Sequence, residues 1–214
     1  CTFYNCQNLT SVIISDSVTT IGANAFGYCQ NLTSITIGDS VTTISESAFS
    51  NCSNLTSVTI ADSVTTIGAN AFAWCGSLVS VNIGDSVTEI GNDIFYGCYS
   101  LTSITVNDNN QNFSNDEYGG LFNKEKTKLI LYPKGNKKTD YSIPHSVTTI
   151  GDEAFFGCDN LTSVNIGYGV KTIGRYAFAL CYSLTDIVIP YSVTTIGDCA
   201  FNYCGLLTTV TISN

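Results

Sequence analysis

The sequence predicts an α/β repeat solenoid: a right-handed coil of about 23-residue rungs, with a parallel β-sheet on its concave side, short strands and helical turns on its convex side, and one β-hairpin insertion. Three observations predict it. Cys6, Cys29, Cys52, Cys75 and Cys98 are spaced by 23 residues, and after a gap of 60 the step resumes at Cys158, Cys181 and Cys204. Phe3, Phe26, Phe49, Phe72, Phe95, Phe155, Phe178 and Phe201 keep the same step, as do Leu9, Leu32, Leu55, Leu78, Leu101, Leu161, Leu184 and Leu207. Between these columns runs one apolar skeleton, L-x-x-V-x-I-x-x-x-V-x-x-I-x-x-x-A-F-x-x-C, and self-similarity at such a fixed period marks a stacked array.

Each element of a rung has a physical reason, shown by the unit that reads LTSVTIADSVTTIGANAFAWCGS from Leu55. In LTSVTI, Val58 and Ile60 alternate with Ser57 and Thr59, the period of a half-buried strand. Val64 and Ile67, within SVTTI, predict a second short extended segment. Gly68 lets the backbone turn, and ANAFAWC predicts about one helical turn that carries Ala71, Phe72 and Cys75 inward. One such unit cannot bury its own apolar face, whereas stacked units share a continuous core.

The insertion follows from the gap. Ile143 takes the place expected for Val106, 37 residues later, so 107–143 is an insertion between regular repeats 1–106 and 144–214 of a single domain, 1–214. Within it, GGLFN and TKLILYP are apolar runs joined by Asn123-Lys124-Glu125-Lys126, a β-hairpin pattern. Leu121, Leu129 and Leu131 are expected to pack on the coil while the lysines face outward.

The repeated pattern resembles the leucine-rich repeats of the BspA-like (Treponema pallidum-type) class, found in bacterial and protist surface proteins. The resemblance recurs along nearly the whole chain and extends to the insertion, where the class often carries a similar G-x-L-[FY]-N-K … Y-P segment. It implies a leucine-rich-repeat coil that is extracellular or on the cell surface, and a non-catalytic recognition and adhesion module whose partner is an extracellular-matrix or cell-surface protein, another cell, or a glycan. The residues themselves leave open a second reading, a spacer that displays or anchors another domain. The chain has no Met and begins at Cys1, so it reads as a piece of a longer protein.

Composition narrows the partner classes. Only 12% of residues are charged and the formal net charge is −9, a poor match to nucleic acid, which needs a broad Lys/Arg surface. No apolar run reaches the roughly 18–20 residues of a membrane span. One His, no G-x-S-x-G and no phosphate loop leave little from which to build catalysis, and no cofactor is expected. Ten cysteines suggest either disulfides or stacked free thiols; parallel Cβ vectors on neighbouring rungs favour buried thiols packed as small hydrophobes. Zinc is disfavoured, because no CxxC pair exists and His145 is the only His. Cys1 and Cys199 stand outside the column and are expected at the surface. Asp16, Asp39, Asp62, Asp85 and Asp108 form a second column that reads as turn capping, with Ca²⁺ binding as the alternative. It ends where His145, Tyr168 and Tyr191 take the same position, turning an acidic edge aromatic. Of six N-x-S/T sequons, at Asn8, Asn31, Asn51, Asn54, Asn112 and Asn160, four share one repeat position and are explained by the repeat itself.

Two surfaces are candidates for binding. The outward strand positions, Ser34, Thr36, Ser57, Thr59, Ser80, Asn82, Ser103, Thr105, Ser163 and Asn165, predict a wide uncharged face of hydroxyls and amides. Lys124, Lys126, Lys128, Lys134, Lys137 and Lys138 include six of the eight Lys and Arg residues, whereas residues 1–100 contain none. In-register lysines on successive rungs would repel across about 4.8 Å, and the insertion is expected to escape that by lacking the stack. The lysines then read either as edge protection or as a docking patch for an acidic partner. The resulting dipolar layout also allows self-association.

Overall fold

The computed structural model describes residues 1–213, in two compact units, Cys1–Phe113 and Ser114–Asn214. In the first unit the main strands Ser11–Ile13, Ser34–Thr36, Ser57–Thr59, Ser80–Ile83 and Ser103–Val106 recur once per rung. Their parallel pairing advances by one repeat, as in Ser57↔Ser80 and Ser80↔Ser103. The second strands Thr20–Ile21, Thr43–Ile44, Thr66–Ile67 and Glu89–Ile90 form their own parallel sheet. The second unit repeats the plan. Its main strands are Asp140–Ser142, Ser163–Asn165, Asp186–Ile189 and Thr209–Ile212. Its second strands are Lys128–Leu131, Thr149–Ile150, Thr172–Ile173 and Thr195–Ile196.

Inside each unit the columns meet side by side. Phe26, Phe49 and Phe72 stack nearly parallel, with centroids 5.2 and 5.4 Å apart. Phe155, Phe178 and Phe201 do the same at 4.7 and 5.2 Å. Leu32, Leu55, Leu78, Leu101, Leu161 and Leu184 are buried beside them. The column thiols are free, and from Cys29 to Cys181 they are buried. Each donates to the carbonyl of the aromatic residue 26 positions earlier: Cys75 Sγ to Phe49 O at 3.2 Å, Cys181 Sγ to Phe155 O at 3.1 Å. The thiol is thus a small hydrophobe that also serves one backbone acceptor.

The expected helical turns are not there: the described residues contain no helix. The reason lies in where ANAF-type segments send their N–H groups. Asn24, Phe26 and Tyr28 donate to Glu46, Ala48 and Ser50 of the next rung, at 2.8–3.0 Å. The alternate groups of Ala25, Gly27 and Cys29 close i→i−3 turns on Gly22, Asn24 and Phe26. A helix would direct every N–H along its own axis. Here half of them point sideways, which is made possible by two left-handed residues per rung, such as Asn70 at φ 56° and Trp74 at φ 62°. Gly68 turns out to be required by proximity, since a Cβ there would lie 2.5 Å from the Glu46 backbone nitrogen.

The segment 107–143 contains more of the rung than its sequence advertises. The hairpin forms, Leu121–Asn123 against Lys128–Leu131, with a register shift between Leu121 and Phe122. Asn123 ties its loop by donating to Thr127 Oγ1 and accepting from Lys128 N. Lys128–Leu131 is not a free edge, because it also pairs in parallel with Thr149–Ile150. Tyr132 then occupies the phenylalanine column: its N–H donates to Ala154 O at 2.7 Å, its ring lies 5.3 Å from Phe155, and its carbonyl accepts from Cys158 Sγ. The expectation that this stretch escapes in-register stacking is therefore overturned from Lys128 onward. Like-charge stacking is still avoided, because the ladder partner of Lys128 is Thr149.

Candidate functional site

Strand alternation sets out the hydroxyl and amide face. In the first unit, Ser34, Thr36, Ser57, Thr59, Asn82 and Thr105 are exposed and Ser80 and Ser103 half-buried, while Val58, Val81 and Ile104 point inward. Register places Ser57, Ser80 and Ser103 in one row and Thr59, Asn82 and Thr105 in the next. Ser34 and Thr36 lie beside Ser11 and Ile13. Ser163 and Asn165 belong to the second unit, where the row partners of Ser163 are Asp140 and Asp186, and those of Asn165 are Ser142 and Val188. The bordering threonines are employed internally. Thr33 donates to Thr10 O, Thr102 to Val79 O and Thr185 to Thr162 O, at 3.0, 3.1 and 3.2 Å, so each hydroxyl extends the ladder by one bond.

The six lysines do not form one exposed set. Lys128, Lys137 and Lys138 are exposed, Lys124 and Lys126 are half-buried, and Lys134 is buried, at 7% exposure. The expectation that all six face solvent fails at Lys134. With Tyr132 seated in the aromatic column, residues 132–136 pack as a rung turn, and the Lys134 ammonium lies 4.6 Å from the Phe156 centroid, a geometry that favours a cation over the ring face. Lys138 covers Tyr118 at 5.2 Å. Beside it Asp116 organises the loop: it accepts from Tyr118 N and Gly120 N through Oδ1 and from the Tyr141 hydroxyl through Oδ2, at 3.0, 2.8 and 2.6 Å. Burial and the neighbouring carboxylate hold the Tyr141 hydroxyl protonated well above its ordinary range.

The acidic column does something slightly different from capping its own turn. Asp16 Oδ1 accepts the backbone N–H of Asp39, and Asp62 Oδ1 that of Asp85, at 2.9 and 3.0 Å; each bond joins one rung to the next. In the second unit the same position carries His145, Tyr168 and Tyr191, all exposed. The two tyrosines are 70% and 66% exposed, with ring centroids 5.9 Å apart and planes 31° apart. Trp74, Tyr28, Tyr96 and Tyr203 lie in the turns after the second strands. Trp74 packs edge-on against Tyr96 and Tyr99 over Gly97.

Burial raises the thiols of Cys158 and Cys181, the latter to about 12. The adjacent Cys52 thiol and burial do the same for Cys75. Cys1 and Cys199, at one repeat position outside the column, are exposed. Among the described residues no three His, Cys, Asp or Glu side chains converge as a metal ion would require, and no helix is long and apolar enough to cross a membrane.

Several solved structures share this architecture. A leucine-rich repeat protein from Eubacterium ventriosum is 28% identical, with a TM-score of 0.78 over 95% of this chain and 60% of its own. The pneumococcal vaccine antigen PcpA is 22% identical and shares the fold, with a TM-score of 0.71 over 96% of this chain and 62% of its own. A leucine-rich cell surface protein from Faecalibacterium prausnitzii is 25% identical, with a TM-score of 0.54 over 96% of this chain and 79% of its own. The chain thus spans about three fifths of the length of the first two. No curated protein matches it. The family model described as BspA type Leucine rich repeat region matches residues 1–123 and 134–214 in six copies. With its stacked columns and that match over most of its length, the chain belongs to the BspA-type leucine-rich repeat family.

Proposed function

We propose that the chain is a non-catalytic recognition and adhesion module of a cell-surface or secreted protein, whose partner is a matrix protein, another cell or a glycan. One observation carries this reading: the rungs hold rows of exposed side chains at fixed spacing, such as Thr59, Asn82 and Thr105, that the fold does not need for its own core. A rigid, repeated surface gives many weak contacts simultaneously and loses little entropy on binding. The cell-surface description of the Faecalibacterium relative supports the location. The basic hairpin, with Lys124, Lys126, Lys128, Lys137 and Lys138, is a second contact region suited to an acidic partner. Buried Lys134 is left out of it.

The spacer reading draws on a specific observation of its own, the use of the bordering threonines as inter-rung donors, which makes the hydroxyl-rich composition structural. Binding to immobilised fibronectin, fibrinogen, laminin and collagen at low and high salt separates the readings. The comparison variant has the five accessible lysines changed to Gln. Salt-sensitive binding lost in that variant assigns recognition to the hairpin, because exposed charge pairs are screened by salt. Binding that persists assigns it to the strand faces. Failure to bind these proteins, cultured cells and glycans alike, with the circular dichroism of a folded array, leaves the spacer.

A further inference from the structure

We propose that Tyr168 and Tyr191 form a stacking platform for a neutral oligosaccharide; the inference rests on the recognition reading above and names one site and one ligand class within it. The two rings occupy the first turn position after consecutive main strands, three residues beyond Asn165 and Val188, and the ladder fixes their separation at 5.9 Å. Single exposed aromatics call for no explanation. Here two stand side by side, each about two thirds exposed, at a position the first unit fills with Asp. That substitution forgoes the carboxylate bond to the next rung that Asp16 and Asp62 make, and neither ring gains a place in the core. Nothing within the fold accounts for the pair.

Its chemistry fits a sugar. A pyranose has one face of C–H groups, which lies on an aromatic ring, and a rim of hydroxyls, which must find hydrogen-bond partners when desolvated. The row beside the tyrosines supplies such partners: Ser142 and Asn165 are exposed and in register, and His145 stands in the turn of the preceding rung. Residues 139–145, 162–168 and 185–191 contain no Lys or Arg and two Asp, Asp140 and Asp186, so an acidic glycan is disfavoured. A protein hot spot wants a broad apolar surround that excludes water; the strand rows bordering this pair hold Ser142, Asn165, Asp140 and Asp186, with Val188 the exposed aliphatic among them. Tyrosine side chains have few rotors, so little order is lost on stacking.

The test uses cellohexaose, chitohexaose and mannohexaose as probes, by isothermal titration, with the matrix proteins of the preceding section measured in parallel. At least one hexasaccharide binds the wild-type chain. The Tyr168→Ala/Tyr191→Ala pair weakens it by about tenfold or more, the loss expected for two aromatic contacts. The Tyr168→Phe/Tyr191→Phe pair, which keeps both rings, retains most of the affinity, and Lys128→Gln/Lys137→Gln/Lys138→Gln leaves it unchanged. The unfolding temperature of the Ala pair stays at the wild-type value, since the altered side chains are mostly exposed. Hexasaccharide affinity that survives the Ala pair overturns the inference, and so does the absence of binding to all three probes. If the matrix proteins still bind in that case, the recognition reading stands alone; if the Ala pair abolishes their binding instead, the patch is a protein contact.

Discussion

Replacing Phe72 by Ala removes a ring from the middle of the first unit's aromatic column, and its cost can be worked from the stacking. Phe72 is fully buried, between Phe49 at 5.4 Å and Phe95 at 6.0 Å. Truncating a buried Phe costs about 3–5 kcal/mol in transfer and cavity terms. Loss of two ring pairs, each worth about 0.5–1.5 kcal/mol, sets the expectation at the upper end of that range. Phe3→Ala is the internal control: Phe3 is 48% exposed and has a single ring neighbour in the column, Phe26 at 5.1 Å. Half the burial and one pair give about 1–2 kcal/mol. Urea unfolding followed by far-UV circular dichroism measures both, as a shift in midpoint at unchanged slope. If the two variants lie within about 1 kcal/mol of each other, the column is not a continuous core and the reasoning is wrong.

Four further predictions use other features. Gly97→Ala places a Cβ 2.5 Å from Trp74 Cε3 at φ 73°, costing about 1–3 kcal/mol and shifting the emission of the chain's single Trp; an unchanged spectrum contradicts the contact. In native protein, Cys1, Cys6 and Cys199 react promptly with a thiol reagent, whereas Cys29, Cys52, Cys75, Cys98, Cys158 and Cys181 react only on unfolding. Because burial raises the thiols of Cys158 and Cys181 in the folded state, their stabilisation is complete below the ordinary value of 9.0 and is lost as pH climbs toward about 12, where Cys181 ionises. The urea midpoint therefore falls across that window, by up to about 1.4 kcal/mol per pH unit for each such thiol, and Cys181→Ala flattens the fall. Asp116→Ala strands the Tyr141 hydroxyl and two backbone N–H groups, costing about 2–4 kcal/mol, against about 1 kcal/mol for Tyr141→Phe, as read from urea midpoints.

The strands and columns were legible because each residue's environment is set by its equivalent one rung away, so the period alone reports the contacts. The turns were not, for a nonlocal reason. ANAF has helical propensity and helical spacing of its apolar residues, but Asn24, Phe26 and Tyr28 find their acceptors some 22 residues onward, which no local pattern records. One signal was available: Asn at positions 24, 51 and 70 is a residue that tolerates left-handed backbone. The rung within 107–143 is masked in the sequence because Tyr132 stands for Phe and only two residues separate Leu129 from Tyr132, where four separate Ile67 from Phe72. Charge alone assigns Lys134 to the surface, whereas its burial depends on Phe156, a neighbour from the following rung. On the strand faces, alternation identified which side chains point outward, but a list of outward hydroxyls carries no information about a ligand. The change from Asp to Tyr was visible in the sequence, whereas the exposure and pairing of the rings were not.

The bonds that join rungs run between equivalent positions at near-constant offsets: Thr65 to Thr42, Asp85 to Asp62, Cys75 to Phe49. A chain built this way has length as a free parameter. Duplicating or deleting one whole unit, such as residues 55–77, leaves each hydroxyl, carboxylate and thiol facing a suitable acceptor or donor, because the new neighbour is chemically the old one. A slip of a single residue within a strand instead turns its buried face outward. The array can thus grow or shrink in steps of one rung while the spacing of whatever it displays stays the same, so reach can change between related proteins without redesign of the surface.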